Sequence, residues 1–211
     1  MTSVGNCKCA ILKDAVLTFL DTRYFIVKSF NEDNVLKCVQ DVSTSTYPKQ
    51  PFAKFAQSIW TTQAQNGPIF AEAFENCKNV ILVFSINKSR AFQGYVSHPI
   101  ADDVFHCLTQ TEQARMESLP GSVEVPAWQK AINWESAGAF KVRWLVICST
   151  RFHRIGHLKN AYNENQAVLI GKDGQEIEEN CGAGLIELID EEVHEALSAW
   201  GRSTDRPVWE D

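Results

Sequence analysis

The chain has 211 residues, of which 45% are hydrophobic, and its formal net charge is −6. This length suffices for one domain with a sizeable core, and the apolar content argues against a disordered chain. No apolar run approaches the roughly eighteen residues of a membrane span, and the N-terminus lacks the pattern of a signal peptide. We therefore expect an intracellular protein without a membrane partner.

The negative charge is concentrated at the C-terminal end. Residues 187–211 hold eight acidic and two basic side chains, so they carry −6, and the 18 acidic and 18 basic residues before them cancel. A local basic strip elsewhere is therefore compatible with the total charge.

The seven cysteines argue against a disulfide framework, because their number is odd and their positions are scattered. Cys7 and Cys9 form a C-x-C pair, but no second pair follows at zinc-finger spacing, so no metal is expected. Buried reduced thiols are the expectation for Cys38, Cys77, Cys148 and Cys181.

The first half of the chain predicts a strand and two helices. Tyr24–Lys28 has the aromatic and β-branched residues of a strand. Asn31 is a candidate N-cap for a helix through about Gln40, and residues 41–58 have loop composition. Asn66 is expected to cap a second helix that has Pro68 in its first turn. Its 3–4 spacing predicts one buried face, formed by Ile69, Phe70, Ala73, Phe74 and Cys77.

Three strands are predicted in the middle of the chain. Val80–Ile86 is a continuous apolar run typical of a central strand. After a turn at residues 87–90, Phe92–Val96 is its expected partner, with Gly94 allowing close backbone approach. Residues 97–127 form a long segment with a helical stretch near 109–118, and Phe140–Cys148 is the third strand.

Two helices are predicted near the C-terminus. Asp173 and Glu176 have the spacing of an N-cap and a capping box, which predicts a helix beginning there. Gly182 and Gly184 would weaken the middle of that helix. A final amphipathic helix is expected over residues 190–200.

Three tryptophans lie among polar or turn-forming neighbours. Trp60 precedes two threonines, Trp128 follows Val125-Pro126-Ala127, and Trp134 follows Asn133. Indoles in such positions suit a flat ligand with apolar faces, and stacking of a base on an aromatic side chain contributes roughly 1–3 kcal/mol.

The segments around these tryptophans closely resemble the YTH domain, the reader of N6-methyladenosine in RNA. The resemblance runs from about residue 23 to 189 and rests on several blocks in register: Arg23–Phe30, Ile59–Thr62, Val80–Ser85, Phe92–Gly94, Phe140–Trp144 and Ile170–Ile177. It implies an α/β fold with a strongly curved, barrel-like sheet of about six strands flanked by helices. It also implies an N-terminal extension over 1–22, a YTH domain over 23–189 with an insertion at about 97–127, and an acidic C-terminal helix or tail over 190–211.

The resemblance implies an aromatic cage for the methyl group. Trp60 and Trp128 match the two tryptophans that line the methyl pocket in the family. Trp134 is the expected third wall, although it lies two residues further from the following strand than the usual third aromatic, and Ser136 occupies the register position. Trp144, inside a strand, is expected in the core.

Further positions match contacts to the base edge and to the RNA backbone. Asn34 matches the residue that meets adenine N1, and its amide is a ready donor to that acceptor. Ser29 precedes Phe30, whose backbone N–H matches a base contact, and the carbonyl of Thr61 matches the acceptor of the remaining N6–H. Phosphate or nucleotide contacts are implied for Lys28, Lys172 and Asp173.

An enzyme is the main competing class, and the sequence does not favour it. His153 and His157 are four apart, but no glutamate follows His153 and the residues between them are poor helix formers. No phosphate-binding loop or Gly-x-Ser-x-Gly motif is present. We therefore expect a monomeric, non-catalytic reader of single-stranded RNA without a cofactor, with the nuclear branch of the family slightly favoured.

Two binding alternatives stay open at this point. One is an RNA-binding domain that reads an unmodified motif. The other is a protein-interaction adaptor that recruits partners through the acidic tail or the 97–127 insertion.

Overall fold

The computed structural model describes residues 10–11, 21–30, 32, 35, 58–63, 65–97, 106–107 and 136–204. The strands are β1 Ala10–Ile11, β2 Thr22–Ser29, β3 Ser58–Gln63, β4 Asn79–Ile86, β5 Ala91–Ser97, β6 His106–Cys107, β7 Ser136–Arg151, β8 Lys159–Asn160, β9 Gln166–Ala167 and β10 Glu176–Ile177. The α-helices are α1 Gly67–Asn76, α2 Phe152–Ile155 and α3 Glu179–Thr204, and 3-10 turns span Ala161–Asn163 and Val168–Ile170.

Eight of the described strands form one mixed sheet. Its main path runs β1-β7-β5-β4-β2-β10, while β3 and β6 pair with β7. The strands β2 and β4 are parallel, and the other pairs of this sheet are antiparallel. The central position predicted for the apolar run of β4 is confirmed.

The sheet bends because its long strands change partners and carry bulges. The C-terminal half of β7 pairs with β5 and its N-terminal half with β3. The pairing of β5 shifts register between Phe92 and Gly94, and such bulges bend a strand. Gly94 has φ +125°, and a Cβ there would lie 2.1 Å from the carbonyl oxygen of Val146. The predicted α/β fold with a curved sheet and flanking helices is confirmed.

The alternation of side chains along β2 divides the core into two clusters. Tyr24 and Ile26 pack in the cluster that includes the apolar face of α3. Phe25 and Val27 face the other side and pack in the cluster that includes Phe70 of α1. Because both faces of β2 are buried, its strand end is held rigidly between two layers.

The helix predicted to begin at Asp173 begins instead at Glu179. Residues 172–177 form a turn followed by β10, which pairs with β2. The carboxylate of Glu178 accepts hydrogen bonds from the backbone N–H groups of Asn180 and Cys181, at 3.1 and 3.0 Å, and so satisfies the helix start. The helix then runs unbroken through Gly182 and includes the separate helix predicted over 190–200.

The burial predicted for individual side chains is correct in part. Ile69 was expected in the buried face of α1, but it is 40% exposed, whereas Phe70 and Ala73 of that face are buried. Cys148 and Cys181 are buried free thiols, as predicted, whereas Cys77 is only half-buried. Trp144 lies in the core, as predicted.

Some predictions concern residues outside the described part of the chain. These are the predictions for residues 31–40, 41–57 and 98–127, apart from Glu32 and Val35, which are helical, and the strand β6.

Candidate nucleic-acid interface

The parallel strands β2 and β4 end side by side and bring several predicted site residues to one edge of the sheet. Ser29 pairs with Ile86, and the backbone N–H of Asn87 donates to the carbonyl of Ser29 at 2.9 Å. Ser29 is buried, whereas the ring of Phe30, the next residue, is 73% exposed. The sequence did not single out Asn87, although its place directly after β4 puts it at this edge.

Trp60 lies on β3 and connects this strand to the core beneath β2. Its half-buried indole meets the ring of Phe84 edge to face, with the centroids 4.7 Å apart. Phe84 is in register with Val27 on β2. Thr61 follows Trp60 and faces the other side of the strand. The indole is therefore packed on one side, while part of its surface stays accessible.

The turn at residues 172–174 is fastened to the end of β2. The carboxylate Oδ1 of Asp173 accepts the backbone N–H of Lys28 at 2.8 Å. The backbone N–H of Gly174 donates to the carbonyl of Ile26 at 2.9 Å. Gly174 has φ +77°, which favours glycine at this place. Lys28 and Asp173 are thus neighbours, and Lys172 is exposed on the same turn.

Asn66 has a hydrogen-bond partner that differs from the one predicted. It occupies the N-cap position of α1, as predicted, but its side chain makes no capping hydrogen bond. Instead its amide Nδ2 donates to Oδ2 of Asp173 at 2.7 Å. Its backbone N–H donates to the carbonyl of Gln63, the last residue of β3, at 3.0 Å. No local signal distinguishes a capping asparagine from one with a partner far along the chain.

Burial opposes the charged state of both ionisable groups at the end of β2. Burial lowers the pKa of Lys28, and the nearby carboxylate of Asp173 offsets part of that change. Burial raises the pKa of Asp173, while hydrogen bonds from Lys28 and Asn66 and the charge of Lys28 act in the opposite direction. A partly desolvated cation suits a phosphate, since the interaction of charges strengthens where water is excluded.

Asn34, Trp128 and Trp134 lie outside the described residues. His153 and His157 are both exposed. Within residues that the structure describes, no group of three or more His, Cys, Asp or Glu side chains is arranged to hold a metal ion. In the same part of the chain, no helix has the length and apolar character needed to cross a membrane.

Comparisons with known proteins give consistent matches over most of the chain. A family model described as the YT521-B-like domain (YTH) matches residues 53–190. Zinc finger CCCH domain-containing protein 45 of Oryza sativa subsp. japonica is 35% identical over 84% of this chain and 22% of its own length. The 30-kDa cleavage and polyadenylation specificity factor 30 of Arabidopsis thaliana is 33% identical over 79% of this chain and 21% of its own length.

Solved structures support the fold. The YTH domain of the Zygosaccharomyces rouxii MRB1 protein, in complex with N6-methyladenosine RNA, has a TM-score of 0.58 with 21% identity, covering 85% of this chain and 91% of that one. The chain spans about a fifth of the length of the two curated relatives, whose coverage is 22% and 21%.

Proposed function

Because the chain belongs to the YTH family, we propose that it binds single-stranded RNA containing N6-methyladenosine and holds the modified base in an aromatic cage. The observation that carries this proposal is the position of Trp60, half-buried against Phe84 at the edge of the core. A cage wall needs support from the core and a part of its surface left accessible, and this half-buried indole has both. The similar Zygosaccharomyces rouxii domain was solved with N6-methyladenosine RNA.

The cage consists of Trp60, Trp128 and Trp134 in this proposal. The methylated and plain bases differ by one neutral methyl group, so discrimination depends on shape and apolarity rather than on charge. One methyl group in a hydrophobic pocket contributes about 1–3 kcal/mol, which limits selectivity to roughly 10- to 200-fold. The base is unpaired, because its two faces and its edge must all be contacted.

Polar contacts fix the edge of the base. Asn34 donates to adenine N1, the carbonyl of Thr61 accepts the remaining N6–H, and the backbone N–H of Phe30 contacts the ring. Ser29 supports this last contact, because its hydrogen bond with Asn87 holds the end of β2 in place.

The RNA backbone lies along the end of β2 and the 172–174 turn. Lys28 and Lys172 contact phosphates there, and Asp173 contacts the nucleotide beside the modified one. With two such lysines and a net charge of −6, the affinity depends on the base pocket more than on counterion release.

The role in the cell follows from binding rather than from catalysis. The proposed domain is a monomeric reader without a cofactor that links the modification to RNA processing or decay. In this proposal a nuclear setting is slightly favoured over a cytoplasmic one. The acidic helix and the 97–127 insertion are then available for protein partners.

Calorimetric titration with two short RNAs that differ in one N6-methyl group tests the proposal. Wild type should bind the methylated strand about tenfold or more tightly than the plain strand, and Trp60→Ala should lose that preference. Tyr162→Ala is the matched control, since Tyr162 is an exposed aromatic residue outside this site. Equal binding of both strands by wild type would favour a reader of an unmodified motif, and no binding of either would favour a protein adaptor.

A further inference from the structure

Asn66 is buried, and its side chain makes a contact that its N-cap position before α1 does not require. Only 3% of it is exposed. An asparagine at an N-cap ordinarily accepts a hydrogen bond from the first turn of its helix. Here the side chain makes no such bond and donates to Asp173, 107 residues away, instead. The contact therefore serves the tertiary structure rather than the local helix.

The amide of Asn66 packs closely against the backbone of the 172–174 turn. A Cβ at Gly174 would lie 2.3 Å from Oδ1 and 2.5 Å from Cγ of Asn66. The missing side chain of Gly174 thus makes the space that Asn66 fills. The amide of Asn66 is therefore held between the backbone at Gly174 and the carboxylate of Asp173.

Asp173 divides its two oxygens between two segments of the chain. Oδ1 accepts the backbone N–H of Lys28, and Oδ2 accepts the amide of Asn66. Asn66 in turn binds the carbonyl of Gln63 through its backbone. The end of β2, the end of β3 and the 172–174 turn are therefore joined at one carboxylate, and each of these segments holds residues of the proposed site.

We propose that Asn66 is a positioning residue for RNA binding, which acts through Asp173 to hold the end of β2 and the 172–174 turn in the arrangement that the RNA contacts. This inference rests on the proposed function. Asn66 need not touch the RNA, because it orients the carboxylate that orients the backbone of Lys28.

Asn66→Asp tests this with nearly the same shape and with an aspartate that still suits a helix start. Near neutral pH the variant places a second negatively charged carboxylate beside that of Asp173, so the hydrogen bond to Oδ2 is lost and the two charges repel. Binding of the methylated RNA should weaken about tenfold. As the pH falls toward about 5, the pair shares one proton and the affinity should recover, since adjacent carboxylates raise one of their pKa values. The wild-type protein is measured over the same range.

The charged groups around this pair are the same in variant and wild type. Lys28 on β2 is the cation that acts on Asp173, and Lys172 precedes it in the turn. The first turn of α1 has no acidic residue. Gln65→Glu is the charge control, because it adds the same charge on an exposed neighbouring side chain without touching Asp173.

The exchange Asn66→Asp with Asp173→Asn is the second variant. The amide introduced at position 173 can accept from Lys28 through its oxygen and donate through its nitrogen to the carboxylate at position 66. The net charge of the pair and both hydrogen bonds are kept. Because Asp173 also contacts the RNA in the proposed function, the exchange is compared with Asp173→Asn alone. On that background Asn66→Asp should change the affinity less than about twofold, without the new pH dependence. Urea unfolding of each variant confirms that folded protein is being compared.

Affinity of Asn66→Asp that matches wild type at every pH would overturn the inference. A loss equal to that of Gln65→Glu, independent of pH and equally large on the Asp173→Asn background, would overturn it as well. The proposed function is judged separately, from the preference of wild type for the methylated strand. If wild type lacks that preference, both proposals fail, whereas a wild-type preference with an unaffected Asn66→Asp removes this one alone.

Discussion

The indole of Trp60 and the ring of Phe84 meet at an interplanar angle of 87°. Phe84 also packs against the buried Trp144, with the ring centroids 5.0 Å apart. A residue of the core thus supports a residue of the proposed cage. The two strands that hold them, β3 and β4, are not neighbours in the sheet. The aromatic contact couples the stability of the core to the position of the indole.

Phe84→Leu should therefore weaken RNA binding as well as stability. The loss of an aromatic pair worth about 0.5–1.5 kcal/mol predicts a twofold to tenfold lower affinity for the methylated strand. The free energy of unfolding should fall by about 1 to 2 kcal/mol. Calorimetric titration and urea unfolding measure the two effects.

Phe92→Leu is the control for this change. Phe92 is equally buried but packs against Phe152 in the other core cluster. A similar loss of stability without a change in affinity is expected. If both variants bind RNA equally well, Phe84 does not support the indole in the way we infer.

The salt dependence of binding should report the contact made by Lys172. For single-stranded nucleic acid, each phosphate contact contributes about −0.7 to the slope of log affinity against log salt concentration. Lys172→Ala should make that slope less steep by about this amount. Titrations at several salt concentrations, with both RNAs, measure it.

Lys78→Ala provides the comparison, because Lys78 is also exposed but precedes β4 at the opposite end of the sheet. Its slope should equal that of wild type. An unchanged slope in Lys172→Ala would remove this lysine from the interface.

The sequence predicted those features that local pattern determines. The apolar run of β4 is typical of a central strand, and the aromatic and β-branched residues of Tyr24–Lys28 predict the strand β2. The capping pattern at Asp173 wrongly predicted a helix start, because the same residues also suit a turn. The carboxylate of Asp173 accepts instead from the backbone N–H of Lys28, 145 residues away. Asn66 shows the same limit, since its cap position was predictable but its bond to Asp173 was not.

Gly182 and Gly184 of α3 offer a test of how closely this helix packs. A Cβ at Gly182 would lie 2.4 Å from Cγ of Tyr24, a fully buried ring. The overpacking cost of about 1–3 kcal/mol outweighs the gain in helix propensity of about 1 kcal/mol. Gly182→Ala should therefore lower the free energy of unfolding, measured in urea, by up to about 2 kcal/mol.

Gly184→Ala should have the opposite effect. The nearest atom to a Cβ there is Cδ2 of Leu158 at 3.5 Å, an ordinary van der Waals distance. Without a clash, the gain in helix propensity of up to about 1 kcal/mol should appear as added stability. Equal effects of the two substitutions would show that the Tyr24 contact does not limit this helix.

Tyr24 should also make the stability of the protein depend on alkaline pH. Burial, and to a smaller degree the charge of Glu179, raise the pKa of Tyr24 to about 12. Since its ordinary pKa is about 10, the folded state holds this proton more tightly than the unfolded state does. The resulting stabilisation is complete below about pH 10 and is lost as the pH rises through about 12. Wild type should thus lose up to about 2 to 3 kcal/mol relative to Tyr24→Phe over this range.

Urea unfolding of both proteins at several pH values between about 8 and 12 measures this difference. Other groups that titrate in this range are present in both proteins, so most of their contribution cancels in the comparison. Burial raises the pKa of Tyr95, and the charge of an ionised Tyr24 adds a smaller part to that change, which the comparison with Tyr24→Phe includes. The two curves should lie at a constant separation up to about pH 10 and then converge or cross as wild type weakens. Curves that stay parallel up to about pH 12 would mean that the Tyr24 hydroxyl ionises equally easily in the folded and unfolded states.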